Sequence, residues 1–183
     1  MLHLRLERRP SPIGTMVVIT EGERLRVLDF EDYGPRMERL LTRHYGPVAL
    51  EEGAAPAAID QALTAYFDGE AEPMERIETA TPGTDFQRTV WAALRTIPHG
   101  HTWSYGRLAA AIGKPGASRA VGLANGANPI AIVVPCHRVI GANDTLTGYG
   151  GGLHRKRWLL EHEGVALKPE RAASPPDLFE TAA

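Results

Sequence analysis

Cysteine is nearly absent: Cys136 is the single thiol in 183 residues. One thiol excludes an internal disulfide and a metal site built from several thiolates of the same chain, and it suits a reducing compartment. Long hydrophobic runs are missing as well, and no stretch approaches the roughly 20 apolar residues that a membrane-spanning helix needs. The N-terminal residues lack the basic, apolar and small-residue order of a secretory signal. These absences lead to the expectation of a soluble, cytoplasmic protein with no membrane partner. A chain of this length holds one sizeable domain or two small ones around a packed core.

Net charge is also low, at −2, but unevenly distributed. Residues 1–83 carry 9 Lys and Arg against 15 Asp and Glu, whereas residues 84–166 carry 9 against 4. A basic half that also holds the thiol points to an anionic partner, nucleic acid first. Charge scattered over solvated faces is the plainer alternative.

The acidic part reads as a small antiparallel sheet with helices. Leu2, Leu4 and Leu6 alternate with polar residues, and Met16 to Thr20 and Leu25 to Phe30 are two further β-rich runs joined across Glu21-Gly22-Glu23. Pro35 starts a helix bearing Met37, Leu40, Leu41 and His44 that closes at Gly46; a second helix bears Ile59, Leu63, Tyr66 and Phe67 and closes at Gly69. His3 and His44 fit surface or packing positions. Residues 69–83, rich in Glu, Pro and Thr, read as a linker. The chain thus divides into 1–83, a supporting α/β domain with its linker; 84–166, mostly helical; and 167–183, a tail whose composition reads as disordered.

In the second part, Thr84 and Gln87 have capping-box spacing ahead of a helix carrying Phe86, Val90, Leu94 and Ile97. His99 and His101 are close together, but without further spaced ligands no metal site is expected. Ser104 caps a helix with Tyr105, Leu108, Ala109 and Ile112 on one face; Gly113-Lys114-Pro115-Gly116 breaks it, and a second helix runs from about Ala117 to Asn125. This is helix-turn-helix spacing, and two ordinary packed helices would read the same way. The second helix is lined with small residues and has Arg119 as its one long polar side chain, which suits a narrow minor groove better than a major-groove reading head. A last helix from about Leu153 to Glu163 has Arg155, Lys156 and Arg157 in its first turn and Glu163 in its last, both against the helix dipole. The basic cluster either meets phosphate or is a solvated turn, and Glu163 could orient an imidazole.

Cys136 follows Ile130-Ala131-Ile132-Val133-Val134, which reads as a short buried strand ended by Pro135. A thiol attacks as thiolate, so the adjacent His137 is a candidate base and a distant acid such as Glu163 its orienting partner. Adjacent side chains of an extended segment point to opposite faces, so a bridging water or a sharp turn after Pro135 is needed to connect them.

The chain resembles the O6-alkylguanine-DNA alkyltransferases, also called methylated-DNA--protein-cysteine methyltransferases. The resemblance rests on Ser104-Tyr105, Ser118-Arg119-Ala120-Val121-Gly122, Asn128-Pro129, Pro135-Cys136-His137-Arg138-Val139, Tyr149-Gly150-Gly151-Gly152-Leu153 and Trp158 through Gly164, in order from Thr84 to Gly164. It implies that Cys136 accepts the alkyl group irreversibly, that His137 supported by Glu163 removes the thiol proton through a water, and that Tyr105 serves guanine N3. Val139, Tyr149, Gly150 and Asn128 would form or brace the base pocket. Ser118, Arg119, Ala120 and Gly122 would meet DNA, with Arg119 filling the gap left by the flipped nucleotide. The implied partner is duplex DNA containing O6-alkylguanine, held in the minor groove with little sequence preference by a monomer without cofactor or metal. Where many relatives carry serine, this chain has Gly150, which would loosen the pocket.

The expected fold class is α/β (α+β): a small N-terminal antiparallel sheet with helices, then a mostly helical domain with a helix-turn-helix and a short strand leading to the cysteine. Two other functions fit parts of the pattern, a non-catalytic helix-turn-helix DNA-binding protein and a Cys-His-Glu hydrolase.

Overall fold

The structure, a computed structural model, describes residues 2–70 and 72–168; most of the proposed tail lies outside them. Strands β1 (Leu2–Arg9), β2 (Met16–Glu21) and β3 (Arg24–Phe30) are followed by α1 (Gly34–Tyr45), β4 (Val48–Glu52), α2 (Ala57–Phe67) and the short α3 (Glu72–Glu75). The second half contains α4 (Asp85–Leu94), β5 (Trp103–Ser104), α5 (Tyr105–Ala111), α6 (Ser118–Gly126), β6 (Val139–Ile140) and α7 (Leu153–His162). The sheet order is β3-β2-β1-β4, with β1/β2 and β2/β3 antiparallel and β1/β4 parallel. The sheet is therefore mixed, not purely antiparallel. Strand β4 is a short edge strand between Pro47 and Gly53 whose exposed Glu51 and Glu52 hide the usual apolar alternation.

The period-2 pattern sorts the sheet into two faces. Leu4, Leu6, Val17, Ile19 and Val27 pack with Leu41 of α1. Met16, Val18, Leu25, Leu28 and Phe30 turn the other way, into a core shared with Val90, Trp91, Leu94, Leu108, Val121 and Leu159. That core runs without a break from the N-terminal sheet to the C-terminal helices. The supposed linker is part of it: Met74 and Ile77 are buried, and Leu25 N donates to Glu78 O while Ala80 N donates to Leu25 O.

The run before the cysteine is not a strand. Ile130 makes a single bridge to Leu28, after which residues 131–134 form a tight buried turn in which Val134 N donates to Ile130 O at 3.1 Å and Ile132 takes φ +68°. The left-handed region is costly for a β-branched residue, so something must hold it. Asn128 does: its Nδ2 donates to Ile130 O at 3.2 Å and to Val134 O at 2.8 Å, and its Oδ1 accepts from Ile130 N at 3.0 Å. The run is uniformly apolar because every side of it is buried, a pattern that a strand and a buried turn share. Pro135 then leads into a 3-10 turn over Cys136–Arg138, and β6 pairs in parallel with β5.

The helix signals read from sequence hold. Thr84 and Gln87 form the reciprocal capping box of α4, and Ser104 Oγ caps α5 by accepting from Arg107 N. Asn128→Ala removes three buried hydrogen bonds and leaves Ile130 N without an acceptor, so it lowers stability by about 3 kcal/mol; Thr84→Ala, which loses one exposed cap, costs about 1 kcal/mol. Urea unfolding of the two variants checks the ranking.

Candidate active site

Cys136 is buried in a cavity of about 190 Å³ lined also by Tyr105, Gly122, Asn125, Gly126, Gly148, Tyr149 and Gly150. The cap at Ser104 starts the helix from which Tyr105 projects, α6 supplies one wall, and the glycine-rich loop before α7 supplies the other. Two buried polar atoms of lining residues, Asn125 Oδ1 and Tyr149 Oη, have no hydrogen-bond partner among the described residues. A Cβ at Gly122 would stand 3.7 Å from the Tyr105 ring, an ordinary contact, so the glycine serves the cavity and not the internal packing.

Gly150 does not loosen this pocket. A Cβ there would meet the Arg36 guanidinium at 2.5 Å, so the space of a side chain is already filled from α1. Arg36 is ion-paired with buried Asp29 and donates to Gly126 O and Asn128 O, both at 3.1 Å, which ties the end of α6 to the N-terminal half. Two of the three cations in the basic first turn of α7, Arg155 and Lys156, are buried against the protein instead of being presented to phosphate or solvent. Lys156 is fully buried and donates to Val139 O and Thr147 O, both at 2.6 Å. Arg155 donates to Ile13 O and Gly151 O, pairs with Asp32 at 2.8 Å and lies over the Phe30 ring. Unsatisfied carbonyls of the loop and its surroundings outbid the helix dipole for these two cations. Arg157 pairs with Glu161 at 3.4 Å.

Behind the thiol lies a buried carboxylate. Glu163 Oε1 faces His137 Nε2 at 2.7 Å and accepts from the Tyr66 hydroxyl at 2.8 Å; Arg138 donates from Nε to Oε2 at 2.8 Å and from Nη2 to Oε1 at 3.0 Å. Burial alone would raise the Glu163 pKa, but the His137 and Arg138 contacts outweigh it and hold the carboxyl ionised, well below its usual range. Burial pushes the His137 pKa down despite that neighbour, so the imidazole is neutral at neutral pH. A neutral ring donating Nε2–H to a carboxylate presents Nδ1 as an acceptor, and Nδ1 has no partner among the described residues. Burial pushes the Cys136 thiol up, only partly offset by the Asn128 amide and by Arg36 and Lys156. The resting state is therefore thiol, neutral imidazole and carboxylate.

The other predicted residues fall on two surfaces. Arg119, Ala120 and Gly126 are exposed on α6 and Ser118 and Gly122 half-exposed, while Val121, Ala124 and Asn125 face inward and Trp91 Nε1 holds Ala124 O at 2.9 Å. Leu123, one turn beyond Arg119, is a large apolar side chain that is 72% exposed. Val139 and Asn128 are buried and do not line the cavity; Asn128 braces the turn below it, and Val139 O is already engaged by Lys156.

The family model for the 6-O-methylguanine DNA methyltransferase DNA binding domain matches residues 85–165, and that for the ribonuclease-like domain of the same enzymes matches residues 7–81. The chain belongs to the 6-O-methylguanine DNA methyltransferase family. It is 54% identical over 170 residues to the methylated-DNA--protein-cysteine methyltransferase of Salmonella typhimurium, covering 91% of this chain and 99% of that one. The Mycobacterium tuberculosis enzyme of the same name is 49% identical over 183 residues, 98% of this chain and all of the other. The crystal structure of Mycobacterium tuberculosis OGT in complex with DNA superposes with a TM-score of 0.72 at 46% identity, covering 88% of this chain and 92% of that one.

Within this family member, sequence reading missed Tyr66, Arg36, Asn125 and Leu123 and gave Arg138 no role. Tyr66 and Arg36 come from the other half of the chain, and no local spacing links them to Cys136. The exposed Leu123 had a signal, a leucine at the fourth position after Arg119 in a helix rich in small residues.

Both depressed values act in the same direction on stability. Glu163 contributes stability above its ordinary value of about 4.5 that is lost as pH falls toward its lower folded value, and neutral His137 contributes stability above about 6.5 that is lost on acidification. Glu163→Gln strips Arg138 of its buried counter-ion and lowers stability at neutral pH by about 3 kcal/mol. It also flattens the loss below pH 4.5; urea midpoints measured against pH in both proteins check this, and parallel curves would refute it.

Proposed function

We propose that the protein repairs O6-alkylguanine in duplex DNA by moving the alkyl group to Cys136. The observation that carries this reading is a neutral thiol at the floor of a small cavity, backed by an imidazole-carboxylate pair and opening beside a helix of small residues with one arginine. The Mycobacterium tuberculosis OGT complex with DNA and the curated relatives' names support it. O6 is concealed in a stacked duplex, so the base is flipped at a cost of a few kcal/mol, least for an alkylated base with weakened pairing. Arg119 occupies the gap left behind, Ser118, Ala120 and Gly122 admit the backbone closely, and Leu123 lies against the sugars of the minor groove.

In the cavity, the Cys136 proton passes to His137 Nδ1 through a water. The sulfur attacks the alkyl carbon in line, an S–C bond forms as the C–O6 bond breaks, and the electron pair moves into the purine. Tyr105 gives a proton to N3 of the leaving guanine and recovers one from solvent. The backbone amide of Gly150 faces O6, and Tyr149 closes the wall. The nucleophile is the protein's own and the transfer is redox-neutral, so the chemistry calls for no cofactor or metal. A thioether is not hydrolysed by this machinery, so each molecule acts once. The division into 1–83 and 84–166, with a tail from 167, then separates a supporting half from the half that meets DNA as a monomer. A thiol that must stay reduced suits the cytoplasm.

Mixing the protein with excess O6-methylguanine duplex and weighing the intact chain tests the reading. One added methyl on the Cys136 peptide with no turnover is expected; unmodified protein, or several turnovers per chain, would overturn it. Leu123→Ala weakens binding to the same duplex by roughly fivefold to tenfold through lost apolar contact, with no change in the slope of affinity against salt because no phosphate contact is lost. Arg119→Ala slows repair in duplex more than reaction with the free alkylated base.

A further inference from the structure

Tyr66 sits on α2, in the half of the chain that carries no cysteine and supplies none of the lining residues of the Cys136 cavity, yet its hydroxyl reaches Glu163 Oε1 at 2.8 Å. The same oxygen receives His137 Nε2 at 2.7 Å, and all three residues are buried. We propose that Tyr66 is a positioning residue for alkyl transfer, holding Glu163 so that His137 keeps its proton on Nε2 and leaves Nδ1 to accept from the thiol. The inference rests on the alkyl-transfer reading above and gives the N-terminal half a part in the chemistry.

Arg138 grips both carboxylate oxygens as a fork and is itself anchored by donating to Ile97 O at 2.7 Å. Tyr66 donates to Oε1 from another element, so the oxygen that serves His137 is held from two directions. The phenol is anchored in turn: the ring packs edge-on against Phe67, His99 and His162, and Tyr66 O lies 2.7 Å from His162 Nε2. Burial, then the Glu163 charge, keeps the tyrosine protonated, so it is always the donor in this pair. The groups that face the Glu163–His137 pair are Tyr66 of α2, His99 of the loop after α4, Arg138 beside His137, Tyr149 of the glycine-rich loop, and Lys156 and His162 of α7.

Removing the hydroxyl leaves more negative charge on Oε1. The imidazolium form of His137 is then favoured, and His137 becomes neutral only at higher pH. In Tyr66→Phe, the acid limb of the single-turnover rate constant for methyl transfer therefore moves up by about 0.5 to 1 pH unit, a fraction of the worth of one hydrogen bond to a charged acceptor. Leu63→Val, a packing loss in the same helix, lowers stability without moving that limb. An unmoved limb in Tyr66→Phe, or an equal shift in Leu63→Val, overturns the proposal. If wild-type protein transfers no methyl, the alkyl-transfer reading has failed instead; ¹⁵N NMR titration of His137 then decides the coupling alone. A higher midpoint in Tyr66→Phe supports it and an unchanged midpoint overturns it.

Discussion

The Glu163 carboxylate is removed from water and remains charged, and much of the molecule is arranged around that fact. An isolated buried carboxylate is costly by several kcal/mol, and it persists here because donors from separate segments converge on it. Tyr66 arrives from α2, His137 and Arg138 from the 3-10 turn after Pro135, and Glu163 itself closes α7. None of these segments can hold the group alone, so the tautomer of the His137 imidazole is a product of tertiary packing.

Other buried charges do related work on the pocket walls. Lys156 and Arg155 spend their donors on carbonyls of the glycine-rich loop and its neighbours, and Arg36 does the same at the end of α6. A loop with little side-chain mass at Gly148, Gly150, Gly151 and Gly152 has few packing contacts to fix it. Charged donors anchored elsewhere fix its backbone instead, leaving the cavity side open to a flat ligand. Asn128 applies the same logic to the turn under Cys136, where its amide substitutes for the ladder partner that a strand would have had.

Where information was local, reading the residues succeeded. The caps at Thr84 and Ser104, the break at Gly113, the alternation of β1 and the small-residue face of α6 all follow from neighbours within a few positions. Ile130 to Val134 misled because β-branched composition reports burial on all sides as readily as extended backbone, and only the φ of Ile132 tells them apart. The basic first turn of α7 misled because dipole rules describe exposed helix ends, whereas Arg155 and Lys156 are buried against carbonyls. The set of Cys136, His137 and Glu163 was suggested by residue type and by Glu163 standing against the helix dipole, and the resemblance gave it roles; its supporting residues Tyr66 and Arg36 lie 97 and 90 positions from the groups they hold, Glu163 and Gly126.

The central claim is that the thiol rests neutral beside a neutral His137 in the DNA-free protein. Thiolate ultraviolet absorbance of the DNA-free protein, titrated against a Cys136→Ser blank, tests it most directly. The account predicts no thiolate at neutral pH and a transition above the ordinary thiol range. A thiolate signal already present at neutral pH would show a resting ion pair with His137 and would contradict it.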